Sequence, residues 1–109
     1  MKRLSLLALL SLAACAPSEA QIEAQWDEFL SENQSCETVD DCVIVYPGCP
    51  LGCGSAVSVG AEEEARELAD SLVNRYSRLH GECMYDCMGV EAECNAGACE
   101  AVPADTGMD

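Results

Sequence analysis

Nine cysteines stand in a chain of 109 residues, and eight of them fall in spacings that can do chemistry. Cys49-Pro50-Leu51-Gly52-Cys53 and Cys83-Met84-Tyr85-Asp86-Cys87 are C-x3-C pairs, with Cys36 and Cys42 before them and Cys94 and Cys99 after. Thiolates so placed serve soft-metal ligation, thiol–disulfide exchange or covalent bridging. His80 is the sole histidine and lies just before the second pair, so a metal reading would use Cys49, Cys53, His80, Cys83 and Cys87. Bridging has the broader warrant, because eight is even and cysteines of an oxidising compartment are usually paired. No cofactor is then implied.

Other chemistry finds less material. A Ser-His-Asp arrangement needs a histidine beside a nucleophile, and His80 reads more simply as a favourable charge at a helix C-terminus. The carboxylates Glu62, Glu63, Glu64, Glu67 and Asp70 read as a solvated helix face, with no pair singled out for acid–base work. The proline after Cys49 makes that C-x3-C pair similar to the copper-chaperone pattern of thioredoxin-like folds. The chain is too short for that fold and has no later strand–helix repeat. The expectation is a protein that is not an enzyme.

Cys15, the ninth cysteine, belongs to a different segment. Lys2 and Arg3 precede the short apolar run Leu4 to Leu12, which is followed by Ala13 and Ala14; this is the order of a signal peptide, and the run is too short to span a bilayer. Leu12-Ala13-Ala14-Cys15 resembles a bacterial lipobox. That resemblance implies removal of 1–14, a lipidated N-terminus over 15–17 and acyl chains on Cys15 sufficient for durable anchoring. Ala16 is not the aspartate associated with inner-membrane retention, so the resemblance implies export and anchoring in the cell envelope, at the outer membrane where there are two.

Cleavage there would leave three basic residues, Arg66, Arg75 and Arg78, against all twenty acids, a net charge of −17. Such a surface repels nucleic acid and anionic lipid, and favours solubility and cationic or basic protein partners. The expected membrane contact is the anchor alone. A remaining chain of this size makes one small domain whose core is marginal without covalent staples.

The elements that must position the cysteines follow from local pattern. Ser18 with Gln21 fits a capping box, and Ile22, Trp26, Phe29 and Leu30 form one helical stripe, predicting a docked helix over 18–33. Cys42 to Tyr46 is a β-branched run that reads as a strand, and Ser55 to Val59 a second short strand. Between them, glycines and prolines predict an irregular loop. Ala65, Leu68, Ala69, Leu72, Val73, Tyr76 and Leu79 repeat at helical period, with acids first, bases last and Gly81 as the stop, predicting a helix over 61–80. Ala96-Gly97 reads as the two-residue loop of a C-terminal hairpin. The fold class expected over 18–102 is α+β: two helices packed on a short antiparallel sheet with a C-terminal β-hairpin, stapled by disulfides, and a flexible tail over 103–109. Over about 36–102 this arrangement resembles small cysteine-rich bacterial lipoproteins, a likeness that carries no activity.

Eight cysteines permit on the order of a hundred pairings, and geometry prunes some. Cys94 and Cys99 would face each other across the hairpin, predicting a 94–99 bridge. If 82–88 continued helically, Cys83 and Cys87 would stand too far apart to pair with each other. Their natural partners are Cys49 and Cys53, leaving Cys36 with Cys42. The function expected is a lipid-anchored binding or structural module that contacts its partner through exposed loops at 37–41 and 47–54, with Pro47, Pro50, Leu51 and Gly52 the candidate contact residues. Two alternatives stand beside it: a surface protease inhibitor with the Leu51-Gly52 bond as bait, and a metal-binding or thiol-redox protein using the two C-x3-C pairs.

Overall fold

The computed structural model describes residues 18–84 and 86–104. The expected signal segment, Cys15 and the end of the expected tail at 105–109 lie outside the described residues.

Helix α1, Glu19–Glu32, begins with the expected reciprocal cap: Gln21 N donates to Ser18 Oγ at 3.2 Å and Ser18 N donates to Gln21 Oε1 at 2.8 Å. Asn33 closes it, its N–H donating to the Leu30 carbonyl and its side-chain amide to that of Phe29. A 3-10 turn at Val39–Asp41 leads into β1, Cys42–Val45. Strand β2, Ser55–Ser58, pairs antiparallel with β1 in the register Cys42 to Ser58 through Val45 to Ser55. Helix α2, Glu62–His80, follows a second 3-10 turn, Val59–Ala61. Gly81 ends it at φ 85°, a left-handed conformation that glycine takes without a side-chain clash.

The chain closes with β3, Val90–Asn95, and β4, Ala98–Pro103, joined by Ala96-Gly97 with both residues at positive φ. That is the primed two-residue turn whose twist suits a hairpin, as expected from the sequence. The hairpin runs further than expected. Pro103 pairs with Val90 and the Ala104 N–H donates to the Gly89 carbonyl, so the strand extends into what the sequence suggested as tail.

The two hairpins form separate two-stranded sheets, and the stretch 33–36 laces them together. Ser58 N donates to the Asn33 carbonyl at 2.8 Å and Ser58 Oγ to the Ser35 carbonyl at 2.7 Å. On the other side Cys36 N donates to the Gly97 carbonyl at 3.0 Å and Cys99 N to the Gln34 carbonyl at 2.7 Å. Gly54 also sits at a close approach, since a Cβ there would lie 2.5 Å from Val90 Cγ2.

Both helices cover the first sheet. Ile22 and Trp26 from α1, Val45 and Val57 from the strands, and Ala65, Ala69 and Leu72 from α2 are the buried core, with Phe29, Leu30, Val43, Leu51, Leu68 and Tyr76 packed against it. Trp26 buries its ring, donates Nε1 to Ser55 Oγ at 3.3 Å and stacks on Phe29 at 5.8 Å between centroids, so α1 is docked rather than a stalk. Leu79, the last residue of the α2 stripe, is 48% exposed because the core ends a turn earlier.

Candidate functional site

All eight described cysteines are bridged: Cys36–Cys94, Cys42–Cys99, Cys49–Cys83 and Cys53–Cys87, with Cα separations between 5.5 and 6.0 Å. The expected clamp is present, in parallel register. First cysteine joins first and second joins second, tying the glycine-rich loop to the segment after α2. The described residues of that segment, 81–84 and 86–89, are irregular rather than helical, so Cys83 and Cys87 are kept apart by their partners and not by helix geometry.

The other expected bridges are corrected. Cys94 and Cys99 do oppose each other in the β3–β4 register, but they do not pair. Each reaches instead to the stretch before β1, Cys94 to Cys36 and Cys99 to Cys42, and the 36–42 bridge is likewise replaced. The reason is the lacing by 33–36, which brings a third extended stretch against β4 and sets Cys36 and Cys42 over the hairpin's inward face. Sequence reasoning missed this because no β-branched run marks 33–36; the only local cue was two close cysteine pairs of similar span.

The lacing creates a sulfur cluster. The Sγ atoms of Cys36, Cys42 and Cys99 lie within 4.8 Å of one another, and among the described residues they form the one such grouping of cysteine, histidine and carboxylate atoms. Cys99 is 1% exposed, while Cys36, Cys42 and Cys94 are half-buried.

The candidate contact loop is placed differently from expectation. Pro47 and Pro50 are buried, and Gly48, Cys49 and Leu51 to Gly54 are half-buried. Leu51 N donates to the Gly48 carbonyl at 2.7 Å across a turn containing the cis Cys49–Pro50 peptide, and the Leu51 side chain packs on the core. A protease bait must offer an exposed extended bond, whereas Leu51-Gly52 is folded inward. The 37–41 loop divides: residues 37–40 are exposed and Asp41 is half-buried. Asp41 Oδ2 accepts from Glu37 N at 2.7 Å and Thr38 N at 3.1 Å, and these two N–H groups hold its carboxyl below the ordinary aspartate value.

His80 is exposed at the end of α2 with its ring 4.7 Å from that of Tyr76. Cys49, Cys53, Cys83 and Cys87 offer a metal no thiolate while bridged, so the metal reading requires both bridges reduced. Beside them an open groove of about 360 Å³ is lined by Cys49, Val73, Ser77, Glu82, Cys83 and Met84. Met84 and Met88 are 87% and 82% exposed, an apolar feature that a cysteine-centred reading passes over. Along α1, the neighbouring carboxyl of Glu19 holds the Glu23 carboxyl above its ordinary value by a shared hydrogen bond, with burial and the charges of Glu19 and Asp27 adding to it.

No family model, curated protein or solved structure matches the chain. A small α+β domain with four disulfides belongs to an oxidising, extracytoplasmic environment. No described helix is long and apolar enough to cross a membrane.

Proposed function

We propose that this chain is the precursor of a lipid-anchored cell-envelope protein, held through Cys15, whose stapled acidic domain is a binding or structural module rather than an enzyme. The observation that carries the reading is the division of the cysteines. Eight bridge one another within the domain, and the ninth stands at the end of the lipobox-like stretch Leu12-Ala13-Ala14-Cys15. A bridged scaffold offers rigid surface at low entropic cost to binding, and a net charge of −17 after cleavage favours cations or basic protein partners over nucleic acid. The exposed residues 37–40 are the better contact candidates, since the 47–54 loop is turned inward.

Intact mass of the protein extracted from membranes without reductant, before and after thiol alkylation, tests this. The expected species lacks residues 1–14, carries a lipid-sized addition on the Cys15 peptide, is lighter by the eight hydrogens of four bridges, and takes up no alkylating agent. A water-soluble species with an unmodified Cys15 removes the anchor. Two or more alkylated cysteines among Cys49, Cys53, Cys83 and Cys87 move those residues from scaffold to chemistry.

A further inference from the structure

The sulfur cluster of Cys36, Cys42 and Cys99, with Cys94 bridged to Cys36, contains two disulfides but more than one feasible pairing. Cys36 and Cys42 have Sγ atoms within 4.8 Å, and Cys94 and Cys99 are direct partners in the β3–β4 register. Ala96-Gly97 is a two-residue turn closed by the Asn95 and Ala98 pair. Cys94 and Cys99 therefore form the next, non-hydrogen-bonded pair, where opposed side chains lie closest. The pairings 36–94 with 42–99 and 36–42 with 94–99 thus draw on sulfurs already close at 36 and 42 and on residues already opposed at 94 and 99. We infer that these four cysteines form a thiol-exchange centre, converted between two pairings by a small external thiolate.

The steps balance without an oxidant. The external thiolate attacks Cys94 Sγ in the half-buried 36–94 bond, forming a mixed disulfide on Cys94 and expelling the Cys36 thiolate. Cys36 Sγ attacks Cys42 Sγ; the 36–42 bond forms, the 42–99 bond breaks, and the electron pair leaves on Cys99. Cys99 Sγ then attacks the mixed disulfide at Cys94 across the hairpin, forming the 94–99 bond and expelling the external thiolate unchanged. Two disulfides enter, two leave, and the thiol is a catalyst.

The conversion changes how the hairpin is held. In the observed pairing, bridges spanning 58 and 57 residues fasten it to the stretch before β1. In the other, each bridge closes only a short local loop. The hairpin is then docked by its packing and by hydrogen bonds such as Cys36 N to the Gly97 carbonyl and Cys99 N to the Gln34 carbonyl. The clamp at 49–83 and 53–87 is unaffected, because it has no comparable sulfur grouping among the described residues.

Cleavage after glutamate separates the two pairings. Glu93 and Glu100 bound a peptide holding Cys94 and Cys99, and Glu37 lies between Cys36 and Cys42. In the observed pairing, peptide 94–100 stays disulfide-linked to 33–37 and 38–62. In the exchanged pairing it leaves alone, two hydrogens lighter than its dithiol form. The oxidised full-length protein, incubated with catalytic reduced glutathione at mildly alkaline pH and acid-quenched, should release bridged 94–100 at least about tenfold faster than it frees 83–91 from 38–62, the effect of sulfurs already in proximity. The same incubation in denaturant should free both, establishing that the digest detects them. Retention of 94–100 in the native protein overturns the inference. So does release of both peptides at one rate, the mark of general scrambling through unfolding.

Discussion

The two pairs of disulfides join chain segments in similar ways and yet stand in different surroundings. At the hairpin, Cys36–Cys94 and Cys42–Cys99 cross a region where backbone hydrogen bonds already connect 33–36 to β2 and β4, and one sulfur is wholly buried. At the clamp, Cys49–Cys83 and Cys53–Cys87 hold two irregular segments, and Cys87, Met84 and Met88 face solvent. The hairpin bridges reinforce structure that other contacts also specify. The clamp bridges stand in place of regular structure, because the described residues of 81–88 belong to no helix or strand and Met84 and Met88 are exposed.

A third region, the helix-covered core, should stay folded when either pair of bridges is altered. Its strongest test is Trp26→Ala. The substitution empties the largest fully buried side chain, removes the stack on Phe29 and leaves Ser55 Oγ without its indole donor. With all bridges intact, a loss of about 3–5 kcal/mol is expected in chemical denaturation. A loss below about 1 kcal/mol would mean that the covalent frame carries the domain and that the core merely fills it.

Removing one bridge from each pair sharpens the contrast. With its neighbour in place, either bridge closes a ring of roughly a dozen residues, so chain entropy assigns each about 3 kcal/mol. The global costs of Cys36→Ala with Cys94→Ala and of Cys53→Ala with Cys87→Ala should therefore be similar. Their local consequences should not be. Limited proteolysis of the second variant should show faster nicking between 84 and 89, which the 53–87 bridge ties down, while the first keeps wild-type nicking there and retains protection of the Cys99 amide. Equal nicking in the two variants breaks the distinction between reinforcing and substituting bridges.

The same distinction explains what was legible in the sequence. Both helices were, because Ser18, Gln21 and Gly81 mark ends and Ile22, Trp26, Ala65, Ala69 and Leu72 mark a face. The hairpin turn was, because Ala96-Gly97 sits between alternating residues. The clamp was, because two C-x3-C pairs of equal span have few other ways to engage. The hairpin bridges were not, since their partners depend on 33–36 lying between two sheets, held by Ser58, Gly97 and Cys99 through bonds that leave no compositional trace. The inward fold of 47–54 was hidden for a related reason. Glycine and proline announce a loop, but only the clamp and the packing of Leu51 decide which side of it meets solvent.

The smallest expected effects come from two carboxyls, Asp41 and Glu23, and they carry opposite signs. Asp41 is held below its ordinary value by the Glu37 and Thr38 N–H groups, so in acid the unfolded chain binds its proton first. Its contribution to stability is full above the ordinary aspartate value, about 3.9, and is lost as pH falls through the lowered one. Glu23 is held above its ordinary value chiefly by the hydrogen bond with Glu19, so here the folded chain binds the proton first. Stability rises as pH falls through that raised value and levels off below the ordinary glutamate value, about 4.3. Acidification should therefore bring a slight gain in Tm from α1 before a slight loss from the 37–41 loop. Glu23→Gln should remove the gain and spare the loss, and Asp41→Asn should flatten the lower arm and spare the gain. If Asp41→Asn leaves the low-pH arm unchanged, the carboxylate is not what orders the loop between Cys36 and Cys42, and the hairpin bridges would be substituting there for structure just as the clamp bridges do.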